Sequence, residues 1–156
     1  MLCGYIYQLV ELLKQLCTNI DESQKTIDKL WNSKIGTILD FSAEGKESAE
    51  DFNRALQQTL ASINKAANSN SIPFSVFKPT GLCKFSILEK ISSGISLTAS
   101  EEIERQEYEA RVDTICKLAF NNEVPIFIDA EESWIQNAID DICEEMMHKY
   151  NKEQPL

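Results

Sequence analysis

The 156 residues carry 43% hydrophobic and 26% charged side chains with only 5 Gly and 4 Pro, which excludes a collagen-like, mucin-like or wholly disordered chain. A formal charge of -10, from 25 acidic against 15 basic residues with no basic cluster, argues against nucleic acid or an anionic membrane surface as partner. A chain of this size buries roughly 68–70% of its unfolded surface, enough for one core without staples. The five cysteines include no C-x-x-C, which fits a reducing compartment, cytoplasmic or mitochondrial, better than a disulfide framework or a zinc knuckle.

In chain order, Leu9, Leu12, Leu13 and Leu16 recur at helical spacing and predict an N-terminal helical segment over residues 1–33 with a packing or docking face. Glu11 and Lys14 interrupt that run, so neither a signal peptide nor a span of about 20 apolar residues is expected. From residue 34 the period changes. Ile35 to Leu39 is short and rich in β-branched residues, a strand ending on Asp40. A helix follows from about Ser48, with Phe52, Leu56, Leu60, Ile63 and Ala67 on one stripe and Asn68, Ser69 and Asn70 at its end.

Ile72 to Phe77 is the second extended run; Pro73 suits its beginning and Pro79 stops it just after Lys78. A short helix near Phe85 to Ile91 precedes Thr98-Ala99-Ser100-Glu101, a capping box. The helix it opens presents Ile103, Tyr108, Val112, Ile115 and Ala119 and ends at Asn121-Asn122. The third run, Val124 to Ile128, leads into Asp129-Ala130-Glu131-Glu132. Ser133 and Gln136 then read as a second capping box, opening a helix faced by Ile135, Ile139, Ile142 and Met146. Phe77, Phe85 and Phe127 are expected in core or rim packing, Trp134 in the core rather than stacked on a planar ligand, and His148, the single histidine, at the surface.

All three extended runs are continuous and apolar, and the stretches between them are long enough for crossover helices, so the strands are expected to be parallel. In such α/β folds ligands meet the carboxyl ends of strands, where this chain has Asp40, Lys78 and Asp129. Asp40, Asp129 and Glu131 read as an alternative carboxylate set for Mg²⁺, while Glu131 and Glu132 also complement the positive end of the following helix. No G-x-S-x-G, G-x-G-x-x-G or G-x-x-x-x-G-K-S/T motif is present, so a hydrolase elbow, a Rossmann fingerprint and a P-loop lack support.

The wording of the strand ends is more specific than their pattern. Leu39-Asp40-Phe41-Ser42-Ala43-Glu44-Gly45-Lys46-Glu47-Ser48, Phe77-Lys78-Pro79-Thr80-Gly81 and Ile128-Asp129-Ala130-Glu131-Glu132-Ser133-Trp134-Ile135-Gln136 together resemble the proline dehydrogenase family in order and spacing. The resemblance implies a partial (β/α)8 TIM barrel over residues 34–156, about the first three βα units, preceded by the N-terminal helical segment. A closed barrel takes about 250 residues. It further implies oxidation of L-proline to Δ1-pyrroline-5-carboxylate, with FAD as hydride acceptor and a quinone as electron acceptor. Lys78 matches the family lysine beside flavin and substrate, and Asp129 an aspartate near the flavin. Glu44 matches a gate residue, Asp40 an aspartate that ties the first strand's end to neighbouring loops, and Glu131 a supporting role. A metal is not part of this picture, and peripheral membrane contact is expected only of a full-length form.

The segments that supply most FAD contacts and the arginine-rich last helix that recognises the substrate carboxylate have no counterpart here, so the 156 residues alone are expected to be a truncated, inactive barrel. The alternatives are a Mg²⁺-dependent enzyme acting on a small molecule and a non-enzymatic interaction module built on the leucine face and an exposed sheet edge.

Overall fold

The computed structural model describes residues 23–40 and 47–152. The leucine face at the N-terminus and Glu44 lie outside them. The elements in order are α1 (Gln24–Asn32), α2 (Ala49–Ala67), β1 (Ser75–Phe77), a 3-10 turn (Pro79–Gly81), α3 (Phe85–Ser92), α4 (Ala99–Asn121), β2 (Ile126–Ile128) and α5 (Gln136–Tyr150).

Two helices start on caps that the local sequence supplies. Ser48 Oγ accepts the Asp51 N–H at 3.1 Å to open α2. Thr98 and Glu101 satisfy each other's backbone donors in a complete capping box at the head of α4. The expected Ser133–Gln136 box does not form: α5 starts at Gln136 behind Ile135, which has no capping side chain. Gln136 is engaged elsewhere, its Oε1 accepting the Glu131 N–H at 3.1 Å. Ser92, at the end of α3, takes over the capping instead, its Oγ accepting the Ala138 N–H at 3.0 Å.

Strands β1 and β2 pair in parallel with Ser75 opposite Ile126, Val76 opposite Phe127 and Phe77 opposite Ile128. The expected strand over residues 35–39 is reduced to one parallel bridge, Leu39 to Ser75. Ahead of it the Thr37 N–H reaches Ser71 O at 2.8 Å, and a Cβ on Gly36 would lie 3.2 Å from the Pro73 ring. Pro73 has no N–H to donate, so the ladder cannot extend toward residue 35. The three extended segments still lie side by side in chain order, with Leu39 next to β1 and β1 next to β2.

Alternation along the strands separates two faces. Ser75 and Phe77 are buried beneath the helices. Ser62 of α2 reaches down to them: its Oγ lies 3.1 Å from Ser75 Oγ and donates to Leu39 O at 3.4 Å. Ile27, Ile63, Leu88, Ile115 and Ile139 bring all five helices into the same core. Ile135, Ile139, Ile142 and Met146 are buried along α5 as their spacing requires. Among the described residues the opposite face is bare. Phe74 and Phe127 stack there with ring centroids 4.7 Å apart, Phe127 is 47% exposed and Ile38 42%. An open parallel sheet with its helices on one side, preceded by α1, is a partial (β/α)8 barrel.

Ile103 and Trp134 depart from their expected places. Ile103 is 60% exposed: the five-residue step to Tyr108 overshoots the helical intervals of three and four and turns Ile103 away from the buried stripe. Trp134, expected in the core, is 57% exposed in the loop before α5, and meets the edge of Phe85 with ring centroids 6.4 Å apart. Among the described residues no helix is long and apolar enough to cross a membrane.

Candidate functional site at the carboxyl end of the strands

Because Phe77 is paired with Ile128, the next residue on each strand, Lys78 and Asp129, emerges beside the other, and the Asp129 N–H continues the ladder to Phe77 O at 3.1 Å. Lys78 Nζ donates to Asp129 Oδ2 at 2.7 Å. Alternation puts both on the bare face, at its carboxyl end. The Lys78 side chain is 20% exposed and that of Asp129 45%, so solvent screens the pair and its stabilisation is only about 0–1 kcal/mol. Its value is positional. Leu39 bridges to Ser75, so Asp40 follows level with Val76, two residues short of Lys78 along the sheet and, by alternation, on the same face.

Two residues beyond each member of this pair lies a second link. The Thr80 N–H donates to Glu131 Oε1 at 2.9 Å, and the Thr80 hydroxyl donates to Glu131 Oε2. The turn is also held at its far end, where Arg111 Nη1 of α4 donates to Leu82 O at 3.1 Å. The Arg111 guanidinium lies 5.4 Å from the Phe52 ring centroid, and Nη2 donates to Glu107 at 3.0 Å. Cys83, next in the chain, has its thiol pushed up to about 12 by burial, so it packs as an apolar group and not as a nucleophile.

Asp129 turns to Lys78 and Glu131 to Thr80. Among the described residues no three metal-ligating side chains converge, and the set of Asp40, Asp129 and Glu131 does not supply a Mg²⁺ site. Sequence reasoning assigned no role to Thr80 or Arg111 and gave Gln136 only a capping role that does not form. The only cue was Arg111 itself, a cation one step from Val112 on the buried stripe of α4.

A parallel βα sheet with its helices on one side and charged groups beyond its strand ends belongs to the class of barrel-type α/β domains. Comparison with known proteins gives the family: a sequence model of proline dehydrogenase matches residues 23–155, and the chain belongs to that family. It is 27% identical over 153 residues to the carbapenem antibiotics biosynthesis protein CarD of Pectobacterium carotovorum, covering 98% of this chain and 41% of that protein. It is 30% identical over 182 residues to the mitochondrial proline dehydrogenase 1 of Dictyostelium discoideum, covering 92% of this chain and 32% of that protein. A 46-residue stretch, 30% of this chain and 7% of the relative, is 46% identical to the mitochondrial proline dehydrogenase 1 of Drosophila melanogaster. The chain thus spans less than half the length of these relatives.

Proposed function

We propose that the Lys78–Asp129 rim is the flavin and substrate side of a proline dehydrogenase site, and that the complete barrel oxidises L-proline to Δ1-pyrroline-5-carboxylate with FAD and passes the electrons to a quinone. The observation that carries this reading is the 2.7 Å ion pair at the carboxyl ends of two parallel strands, inside the segment that matches the family. When bound, FAD supplies the acceptor for the hydride equivalent. The donor set fits such a group. The Lys78 ammonium at the mouth of the bare face meets either a ring system that gains negative charge on reduction or the carboxylate of the substrate. Asp129 restrains that ammonium and so orients it. In the same reading Asp40 ties the first strand's end to its loops, Glu44 gates the mouth, and Glu131 supports the rim. Two of the relatives named above are mitochondrial by name, which supports a mitochondrial or cytoplasmic setting over a secreted one.

The 156 residues alone, given FAD, L-proline and a dye acceptor, are expected to give no sustained dye reduction. A chimera tests the site itself: residues 23–152 replace the matching segment of the Dictyostelium relative. The chimera is expected to reduce dye in a proline-dependent way, and Lys78→Ala to lower that rate on the order of 100-fold or more. A folded, flavin-loaded chimera that ignores proline, or one indifferent to Lys78→Ala, overturns the reading.

A further inference from the structure

The turn behind Lys78 is anchored by groups remote in the chain. Pro79 opens it without an N–H, so the Thr80 N–H is a donor at that terminus in need of an acceptor. Thr80 is buried, and Glu131 takes both of its donors. Glu131 is itself held: its N–H donates to Gln136 Oε1 at 3.1 Å, and Gln136 Nε2 donates to Asp140 Oδ1 at 2.7 Å. A chain of hydrogen bonds therefore runs from the first turn of α5 to the residue two beyond Lys78.

We propose that Glu131 is a positioning residue that acts through Thr80, fixing the Lys78–Pro79–Thr80 backbone and so holding the Lys78 ammonium against Asp129. A lysine side chain is rich in rotamers, and a partly exposed ion pair gains little on ordering it. Fixing the backbone at its root narrows what remains to be ordered. Pro79 transmits the constraint because its φ is locked and because the residue before a proline is confined to extended geometry, which Lys78 adopts at φ -102 and ψ 124. The inference deepens the proposed function, since Lys78 is the ammonium assigned to the flavin side. Its test needs neither flavin nor proline.

The acetylation rate of each lysine in the folded 156-residue chain, under limiting acetic anhydride, is read by mass spectrometry. Lys84 and Lys90, ion-paired with Glu104 and Glu101 on other elements, are internal references. Asp129→Ala and Glu131→Ala are expected to speed Lys78 modification roughly threefold or more while leaving the references unchanged. Glu131→Gln is expected to stay near wild type, because its Oε1 accepts the Thr80 N–H and its Nε2 donates to the Thr80 hydroxyl oxygen. Thr80→Val, which keeps only the N–H link, falls between. An unchanged Lys78 rate in Glu131→Ala, an equal acceleration at Lys84 and Lys90, or a Glu131→Gln variant as fast as the alanine each overturns the inference. If Glu131→Ala loses its helical circular dichroism, the contrast between Thr80→Val and Glu131→Gln decides in its place. An inert chimera leaves these rates unaffected, and an unchanged Lys78 rate leaves proline oxidation by the chimera standing, so the two readings fail separately.

Discussion

The two faces of the short parallel sheet are equally apolar in sequence and differ in what covers them. On one, Ser75 and Phe77 are sealed by helices this chain supplies, down to buried Ser75 and Ser62 hydroxyls that hydrogen-bond, with the Ser62 hydroxyl donating to Leu39 O. On the other, Ile38 and Phe127 stay open to solvent among the described residues. Strands that are apolar on both sides need two covers, a helical layer outside and a closed barrel interior inside. The helical layer holds the fold together, whereas the Lys78–Asp129 pair sits at the end of the uncovered face, with Asp40 two residues short of it on the same side. Burial and the charged strand-end groups therefore lie on opposite sides of the same strands.

The sharpest way to break this contrast is to truncate both faces and compare urea unfolding. Ile139→Ala, in the helical layer, is expected to cost about 2–5 kcal/mol, since Ile139 is almost fully buried and its neighbours cannot close the gap. At the head of α4, Thr98→Ala is expected to cost about 1 kcal/mol by removing the cap. The same cap gives a pH signature. Glu101 is held down to about 2, first by its hydrogen bond from Lys90 and then by those from Thr98. A carboxylate whose folded value lies below its unfolded one stabilises fully above the unfolded value of 4.5 and loses that contribution as the pH falls toward 2. Glu101→Gln is expected to flatten the acid limb of the stability curve in that window, read as the unfolding midpoint against pH. A smaller effect than at Ile139 is expected on the bare face, where Phe127→Ser removes the stack on Phe74 and should cost about 0.5–1.5 kcal/mol. A loss there comparable with Ile139→Ala would mean that the open face carries the fold as well.

Local signals were read from the sequence to within a residue or two. Ser48 and the Thr98–Glu101 box open their helices because an N-cap involves only residues within one turn. The same logic failed at Ser133–Gln136, where Glu131 claimed the Gln136 side chain and Ser92, from another helix, capped α5. The first strand shrank to Leu39 for a similar reason: Ile35 to Leu39 has strand propensity, but a strand needs a partner ladder, and Pro73 ends the one available.

By itself the sequence determined the alternation of helices and extended runs, the parallel α/β class and the placing of Asp40, Lys78 and Asp129 at strand ends, because periodicity and caps act over a few residues. Only the tertiary structure decided which of those groups touch. Strand register brought Lys78 to Asp129 and Thr80 to Glu131 across 51 residues of chain, a separation whose closure the packed core offsets and no local pattern specifies.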